Sequence, residues 1–344
     1  MKNKVSIIIP FYKVENQIVQ CLNSVLEQTY KNIEVICVGR KDDTSCVNIV
    51  KKYINNNNNS NFKCIFQSGK GVGDARNAGK KVATGDYVLF LDGDDYIEKN
   101  TVEMMMDAIL KDESDMVCCG FDRIDEITKK IYSKEMINMN YDVLTINEEN
   151  FKNIAFIAPC PWGKLIKKDI VSLFDFSSKP VAGEDLIFFL EIMKKIKKIS
   201  FIKETLWHYL VRKDSLIFET NIEKAYELNN NLIEVRKEYE NNNFFKSYLE
   251  TIDVICFMHL AISMFSRILN KDKKNAQIYI KNIKNSLNNN FVYWDKAKIR
   301  INGKITIKTL ILSFSRILLK CNCLIALIWF YNFIINTFKI DIKW

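Results

Sequence analysis

Four short apolar runs, rich in β-branched residues, mark the first 91 residues of this chain: VSIIIPFY (Val5–Tyr12), IEVICV (Ile33–Val38), FKCIFQ (Phe62–Gln67) and YVLFL (Tyr87–Leu91). Each has the length of a strand and no polar alternation, the pattern of strands buried on both faces. Segments with helical spacing separate them. Ile18, Cys21, Leu22, Val25 and Leu26 line one face of Glu15–Gln28; Val47–Tyr53 is a short helix; Ala75, Ala78, Val82 and Ala83 share a face of Ala75–Thr84, which Gly85 closes. The asparagine run Asn55–Asn61 reads as a solvated loop. Strands alternating with helices predict an α/β fold whose mostly parallel sheet is covered on both faces. Ligands of such sheets sit outside the carboxyl ends of the strands.

The 344 residues exceed the need of one typical domain, and an apolar fraction of 48% supplies a full core. Beyond Asn100 a helix at Thr101–Lys111, a strand at Asp115–Phe121 and strand-like alternation at Ile199–Val211 are expected, and from about Asn221 the chain reads as helical. The ten cysteines show no zinc-ligand spacing with a matching second pair, which points to reduced thiols in a cytoplasm. The N-terminal MKNKVSIIIPFY is too soon interrupted for a signal peptide. The net charge of +9 is uneven: Lys296–Trp344 holds nine Lys or Arg against one acid, Asp341. With no basic patch in the main domain, a nucleic-acid partner is not expected. A basic and apolar tail points instead to a membrane surface.

The fourth run ends in LDGDD, which sets Asp92, Asp94 and Asp95 within four positions at the mouth of the ligand crevice. Crowded, partly buried carboxylates repel, and something must offset that cost. Asp92 and Asp94 point the same way in an extended segment and suit a hard cation, Mg²⁺ or Mn²⁺, bridging to a diphosphate. D-G-D-D is also good turn chemistry, and the spacing alone leaves both readings open. GEDLIFFLEIM (Gly183–Met193) places Glu184 and Asp185 at a helix start, where acids meet the dipole favourably. GVGDARNAG (Gly71–Gly79) offers backbone N–H groups and Arg76, without the ending of a P-loop.

VSIIIPFY, SVLEQTY, IEVICV, GVGDARNAG, GDYVLFLDGDDYI, PWGKL and GEDLIFFLEIM stand in the order found in glycosyltransferase family 2, and the chain resembles that family from about Val5 to Leu216. The resemblance implies a GT-A fold in a catalytic domain over 1–216, followed by a helical region over 217–344. It implies a nucleotide-diphosphate sugar donor, with UDP the first expectation, a divalent cation (Mn²⁺ or Mg²⁺), and inversion at the anomeric carbon. LDGDD resembles the family's D-x-D motif, which puts Asp92 and Gly93 at the donor and Asp94 on the metal. Pro10, Tyr12, Glu15 and Arg76 fall on the donor side by the same match, with Tyr12 at the position that stacks on the base. GEDLIFF resembles the family's E-D motif; it implies Asp185 as the base that takes the acceptor hydroxyl's proton, with Glu184 beside it. Trp162 and Lys164 match a Trp-Asn-Lys motif on the acceptor side, Gly163 replacing the asparagine. His208, in LWHYLVRKDSL, matches a segment that brings a histidine to the metal in some relatives.

The chain departs from the family after the second strand. Where relatives read Val-Asp-Asp-Gly-Ser, it reads Val38-Gly39-Arg40-Lys41-Asp42-Asp43, so the aspartate expected at the donor base is gone unless Asp42 or Asp43 substitutes. In the tail, Ile307, Leu310, Ile311, Phe314, Ile317 and Leu318 fall on one helical face, and Lys304, Lys308, Arg316 and Lys320 on the other. Cys321–Phe338 follows without a charge over 18 residues, near the lower limit of a span of roughly 17–25. In-plane attachment of about 303–340 to the inner face of the cell membrane is the expectation; packing on the catalytic domain or on a homodimer partner is the alternative. A glycan or lipid-linked acceptor in surface polysaccharide or glycolipid assembly would suit such attachment.

Overall fold

The computed structural model describes residues 3–57, 60–177, 181–212, 221–297 and 307–323, with single positions beyond. The chain forms two compact units: Met1–Ile146 with Pro159–Arg212, and Asn147–Ala158 with Lys213–Trp344.

The first unit opens with β1 (Val5–Pro10), α1 (Ile18–Leu26), β2 (Ile33–Gly39), α2 (Thr44–Asn56), β3 (Phe62–Phe66), α3 (Val72–Val82) and β4 (Tyr87–Phe90). It continues through β5 (Tyr96–Ile97), α4 (Thr101–Lys111), β6 (Met116–Asp125), β7 (Ile131–Glu135), β8 (Val143–Thr145), β9 (Lys164–Lys167), α5 (Lys168–Val171), α6 (Glu184–Met193) and β10 (Lys198–Val211). One sheet carries all the strands, in the order β3-β2-β1-β4-β9-β6-β10-β5, with β7 on β6 and β8 on β10. The first four strands are parallel, as their unbroken apolar runs predict, and β1, β2 and β4 are buried almost throughout. The remainder is mixed: β9 runs antiparallel between β4 and β6, and β10 lies parallel to β6.

Helix boundaries shift from the sequence expectation for local reasons. Helix α2 starts at Thr44 because Asp43 caps it, accepting from the Cys46 N–H; it also runs on through Asn55 and Asn56, which were expected in the loop. Helix α3 starts three residues early, at Val72, following an extended Gly71. Glu34 pins the base of the sheet. Its carboxylate accepts from the Ser6 hydroxyl, from the Thr84 N–H and hydroxyl, and from Lys63, and these bonds hold its pKa down to about 2 against burial.

The second unit is helical: α7 (Ile222–Asn241), α8 (Leu249–Phe257), a π-helical turn at Met258–Met264, α9 (Phe265–Lys271), α10 (Lys273–Asn290) and α11 (Ile307–Lys320). The 3₁₀ segment Phe151–Phe156 belongs to it, with Phe151 stacked on Tyr248 at 3.8 Å between ring centroids. The continuous helix Lys246–Lys271 is long and apolar enough to cross a membrane, yet 83% of its apolar window is buried in the protein. Within it Asp253 pairs with Arg236 at 2.8 Å and accepts from the Tyr293 N–H.

Helix α11 corrects one expectation of the sequence. Arg316 does not face solvent with the lysines: it is 9% exposed, and its Nη1 donates to the Ala297 carbonyl at 2.7 Å. The helix is rotated so that Ile311, Leu312, Ser315, Arg316 and Leu319 face inward, which leaves Leu310, Phe314 and Ile317 exposed. The side chains of Lys304 and Lys308, and most of Cys321–Phe338, lie outside the described residues.

Candidate active site

The crevice forms where the carboxyl ends of β1, β2 and β4 meet the start of α6. The LDGDD loop leaves β4 and folds against the end of β1: the Gly93 N–H donates to the Pro10 carbonyl at 3.1 Å, and the Asp95 N–H closes a turn on the Asp92 carbonyl at 2.9 Å. A Cβ on Gly93 would stand 3.0 Å from that Pro10 oxygen, so the tight approach needs glycine. The turn reading and the site reading of D-G-D-D thus describe the same loop.

Its three aspartates have separate fates. Asp95 is 1% exposed and points away from the crevice, accepting from the Trp207 indole and the Leu210 N–H, both at 3.1 Å. It ties the loop to β10. Asp94 pairs with Arg212 at 2.9 Å. Burial, then the nearby Asp92, lifts the Asp94 carboxyl to about 6, with Arg212 opposing. Asp92 pairs with Arg76 at 3.0 Å.

Arg76 is the centre of the arrangement. It sits on α3, is 2% exposed, and lies 5.2 Å from the Phe176 ring centroid. Besides Asp92 it contacts Glu184 at 3.1 Å and Asp185 at 2.7 Å through Nη1. Burial alone would lower its pKa; the three carboxylates outweigh that and hold it charged. Gly183 sets the pair in place. Its φ of +77° caps α6 in the left-handed region, which turns Glu184 and Asp185 into the crevice at the first helical positions. Leu186, Phe188, Phe189, Leu190, Ile192 and Met193 bury the rest of the helix, so the carboxylates ride on a fixed element.

The two acids are not equivalent. Glu184 is 11% exposed, and burial followed by repulsion from Asp185 lifts it to about 7. Asp185 keeps 40% of its side chain open. Desolvation in the cleft still raises its pKa, with Arg76 opposing. Asp185 is therefore the carboxylate of the cluster that an incoming hydroxyl can reach.

Other expected residues stand differently. Tyr12 is 38% exposed beyond the end of β1, and Glu15 is half-buried ahead of α1. Trp162 is buried in an aromatic stack with Tyr209 at 5.3 Å and Trp207 at 5.9 Å. Lys164 is 2% exposed and donates to the Cys160 carbonyl at 2.7 Å. Between them, Gly163 has φ +66°, a conformation that asparagine also tolerates, which accounts for the exchange of the two residues in this motif. Trp162 and Lys164 thus support this side of the sheet from within.

His208 is a correction. Its Nδ1 lies 2.9 Å from Asp122 and its Nε2 3.0 Å from Glu98, with the ring stacked on Tyr96 at 4.5 Å. Both ring nitrogens are engaged, so the imidazole has no lone pair to offer a metal. Two residues missed in the sequence take part instead: Arg212, directly on Asp94, and Asp122, which fixes His208. Arg212 was signalled only by its place four residues after His208, at the end of β10.

An open α/β sheet whose parallel half ends in a carboxylate-lined crevice, with an acid pair on a facing helix, is the architecture of a GT-A glycosyltransferase. Residues 6–173 match the family described as "Glycosyl transferase family 2", and the chain belongs to that family. It is 27% identical over 271 residues to the glycosyltransferase EpsH of Bacillus subtilis, covering 76% of each chain. It is 30% identical over 216 residues to the poly(ribitol-phosphate) beta-glucosyltransferase of Bacillus spizizenii, a match that covers 61% of this chain and 33% of that one. The fold is shared with S. aureus TarS solved with UDP-GlcNAc, at a TM-score of 0.64 and 19% identity, over 91% of this chain and 87% of that one.

Proposed function

We propose that this glycosyltransferase transfers a sugar, with inversion, from a UDP-sugar to a hydroxyl of a glycan or lipid-linked acceptor, in the assembly of a cell-surface polymer. The observation that carries this reading is the Arg76 cluster, in which one buried guanidinium holds a donor-side carboxylate, Asp92, and the candidate base, Asp185. The surface-polymer setting is supported by the relative that glucosylates poly(ribitol-phosphate), and the choice of uridine by the TarS neighbour.

Inversion needs one displacement. Asp185 takes the acceptor hydroxyl's proton as the oxygen bonds to the anomeric carbon and the bond to the diphosphate oxygen breaks. No covalent enzyme intermediate forms, so one base suffices. Arg76 orients Asp185 and keeps it ionised for this step. Among the described residues no group of three or more His, Cys, Asp or Glu is arranged to hold a metal. Asp92 and Asp94 nonetheless fit a Mn²⁺ or Mg²⁺ that takes its remaining oxygens from the diphosphate and water, the usual mode for such ions with phosphate substrates. Such an ion, when bound, neutralises charge on the departing diphosphate. Asp94 leaves Arg212 to serve it.

Asp185→Asn tests the reading. The variant is expected to keep its fold and its UDP-sugar affinity in a thermal-shift titration with Mn²⁺, while transfer slows by about 10²–10⁴-fold. Near-normal turnover would remove Asp185 from the role of base. Retained UDP-sugar binding without turnover in the unmodified protein, across acceptors, would favour a non-catalytic binding module of the same fold.

A further inference from the structure

The position at which this chain departs from its family has a structure of its own. At the carboxyl end of β2, Gly39 lies against the Phe11 ring so closely that a Cβ there would stand 2.3 Å from it. No side chain fits at position 39, and residue 40 is the first after β2 able to present a functional group to the crevice. Asp43 is not available either. It is 7% exposed, caps α2, and accepts from the Lys13 N–H at 2.8 Å.

That last bond organises the surface. Lys13 has φ +53°, an uncommon conformation for a residue other than glycine, and Asp43 holds it there. The turn presents the Tyr12 ring directly to Arg40, whose guanidinium carbon lies 4.4 Å from the ring centroid. Asp42 fixes the guanidinium in its plane by pairing with Nε at 3.0 Å and with Nη2. Nη1 has no hydrogen-bond partner among the described residues. The result is a stacked, oriented set of N–H donors at the rim of the crevice.

The distance to the chemistry is set by the sheet. From the Asp92–Asp94 loop at β4, β1 lies one strand away and β2 two, roughly 10 Å. A nucleotide whose diphosphate meets Asp92 and Asp94 therefore places its base over Tyr12 and Arg40, while the opposite direction leads to Asp185 and the acceptor.

On the donor reading given above, we propose that Arg40 determines which base the donor carries, its guanidinium N–H groups taking a ring carbonyl of a base stacked at Tyr12. Uracil offers a carbonyl where cytosine carries an amino group; the amino group meets the donors of Arg40 with a second donor and is rejected. A well-placed arginine contact of this kind discriminates bases by about 1–3 kcal/mol, or roughly 5- to 150-fold in affinity.

Titration calorimetry with UDP, CDP and inorganic pyrophosphate in Mn²⁺-containing buffer tests this on the full chain, with Arg40→Ala and Arg40→Lys beside it. The unmodified protein should prefer UDP to CDP by at least about fivefold. Both variants should lose that preference and keep the pyrophosphate affinity, lysine failing because it lacks the planar fork. An unchanged UDP-to-CDP ratio in Arg40→Ala overturns the assignment and leaves the donor reading standing. An unmodified protein that binds neither nucleotide overturns both.

Discussion

Glu184 and Asp185 are neighbours in sequence and share one guanidinium, yet their surroundings divide them. Glu184 is the more enclosed, and its pKa rises to about 7 from the ordinary carboxyl range. The folded protein therefore binds a proton here that the unfolded chain has already lost. By linkage, folding stability contributed at this position is greatest below the unfolded pKa and falls as pH rises toward 7. Glutamine copies the protonated acid, can still accept from Arg76, and has nothing to titrate. The melting temperature of Glu184→Gln relative to the unmodified protein should thus become more favourable between pH 5 and pH 8, by a few degrees, in scanning calorimetry. A difference that does not move with pH would mean that Glu184 ionises as easily folded as unfolded. The sequence pointed to both acids at a helix start. It could not divide their roles, because the division comes from Arg76 on α3, 108 positions away.

At the scale of elements, the parallel half of the sheet was legible because each of its strands is one unbroken apolar run. The other half was not. Strand β9 is short, carries a lysine at either end and inserts antiparallel between β4 and β6, an outcome fixed by distant pairing rather than by its own pattern. Asp95 and Arg212 were illegible for a related reason: their partners, Trp207 and Asp94, become neighbours only once β10 is laid against the LDGDD loop. His208 was misread because a histidine's role depends on what meets its two nitrogens, and Asp122 and Glu98 come from other elements. Helix α6 gives a test at this scale. Gly183→Ala forces a Cβ into the left-handed region at about 1–2 kcal/mol, and Gly183→Asn should cost less because asparagine tolerates it. Melting temperatures should rank glycine above asparagine above alanine. Turnover should fall in the same order, since Glu184 and Asp185 follow the cap.

The whole molecule raises the question of where the enzyme works. Rotation of α11 leaves Leu310, Phe314 and Ile317 exposed, at 57%, 45% and 56%, along one stripe of the helix. Exposed apolar side chains on a helix in a basic tail suit shallow insertion between anionic headgroups, and we propose this as the attachment. Co-sedimentation with vesicles of phosphatidylglycerol and phosphatidylcholine should retain the unmodified protein. The triple substitution Leu310→Ser, Phe314→Ser and Ile317→Ser should release most of it, without loss of melting temperature, since the three side chains are already in solvent. Equal retention of both proteins would assign the stripe to another partner or to none.

The excursion of Asn147–Ala158 has a practical consequence. Because this short piece folds with Lys213–Trp344, no single cut in the polypeptide separates the two units. A fragment ending at Arg212 would keep Phe151, Ile154 and Phe156 but lose Tyr248 and the helices that cover them. Its yield from expression would suffer from sticky, uncovered rings even if every residue of the catalytic crevice were intact. Recombinant work on the catalytic half therefore begins with the intact polypeptide, or with that loop replaced by a polar bridge.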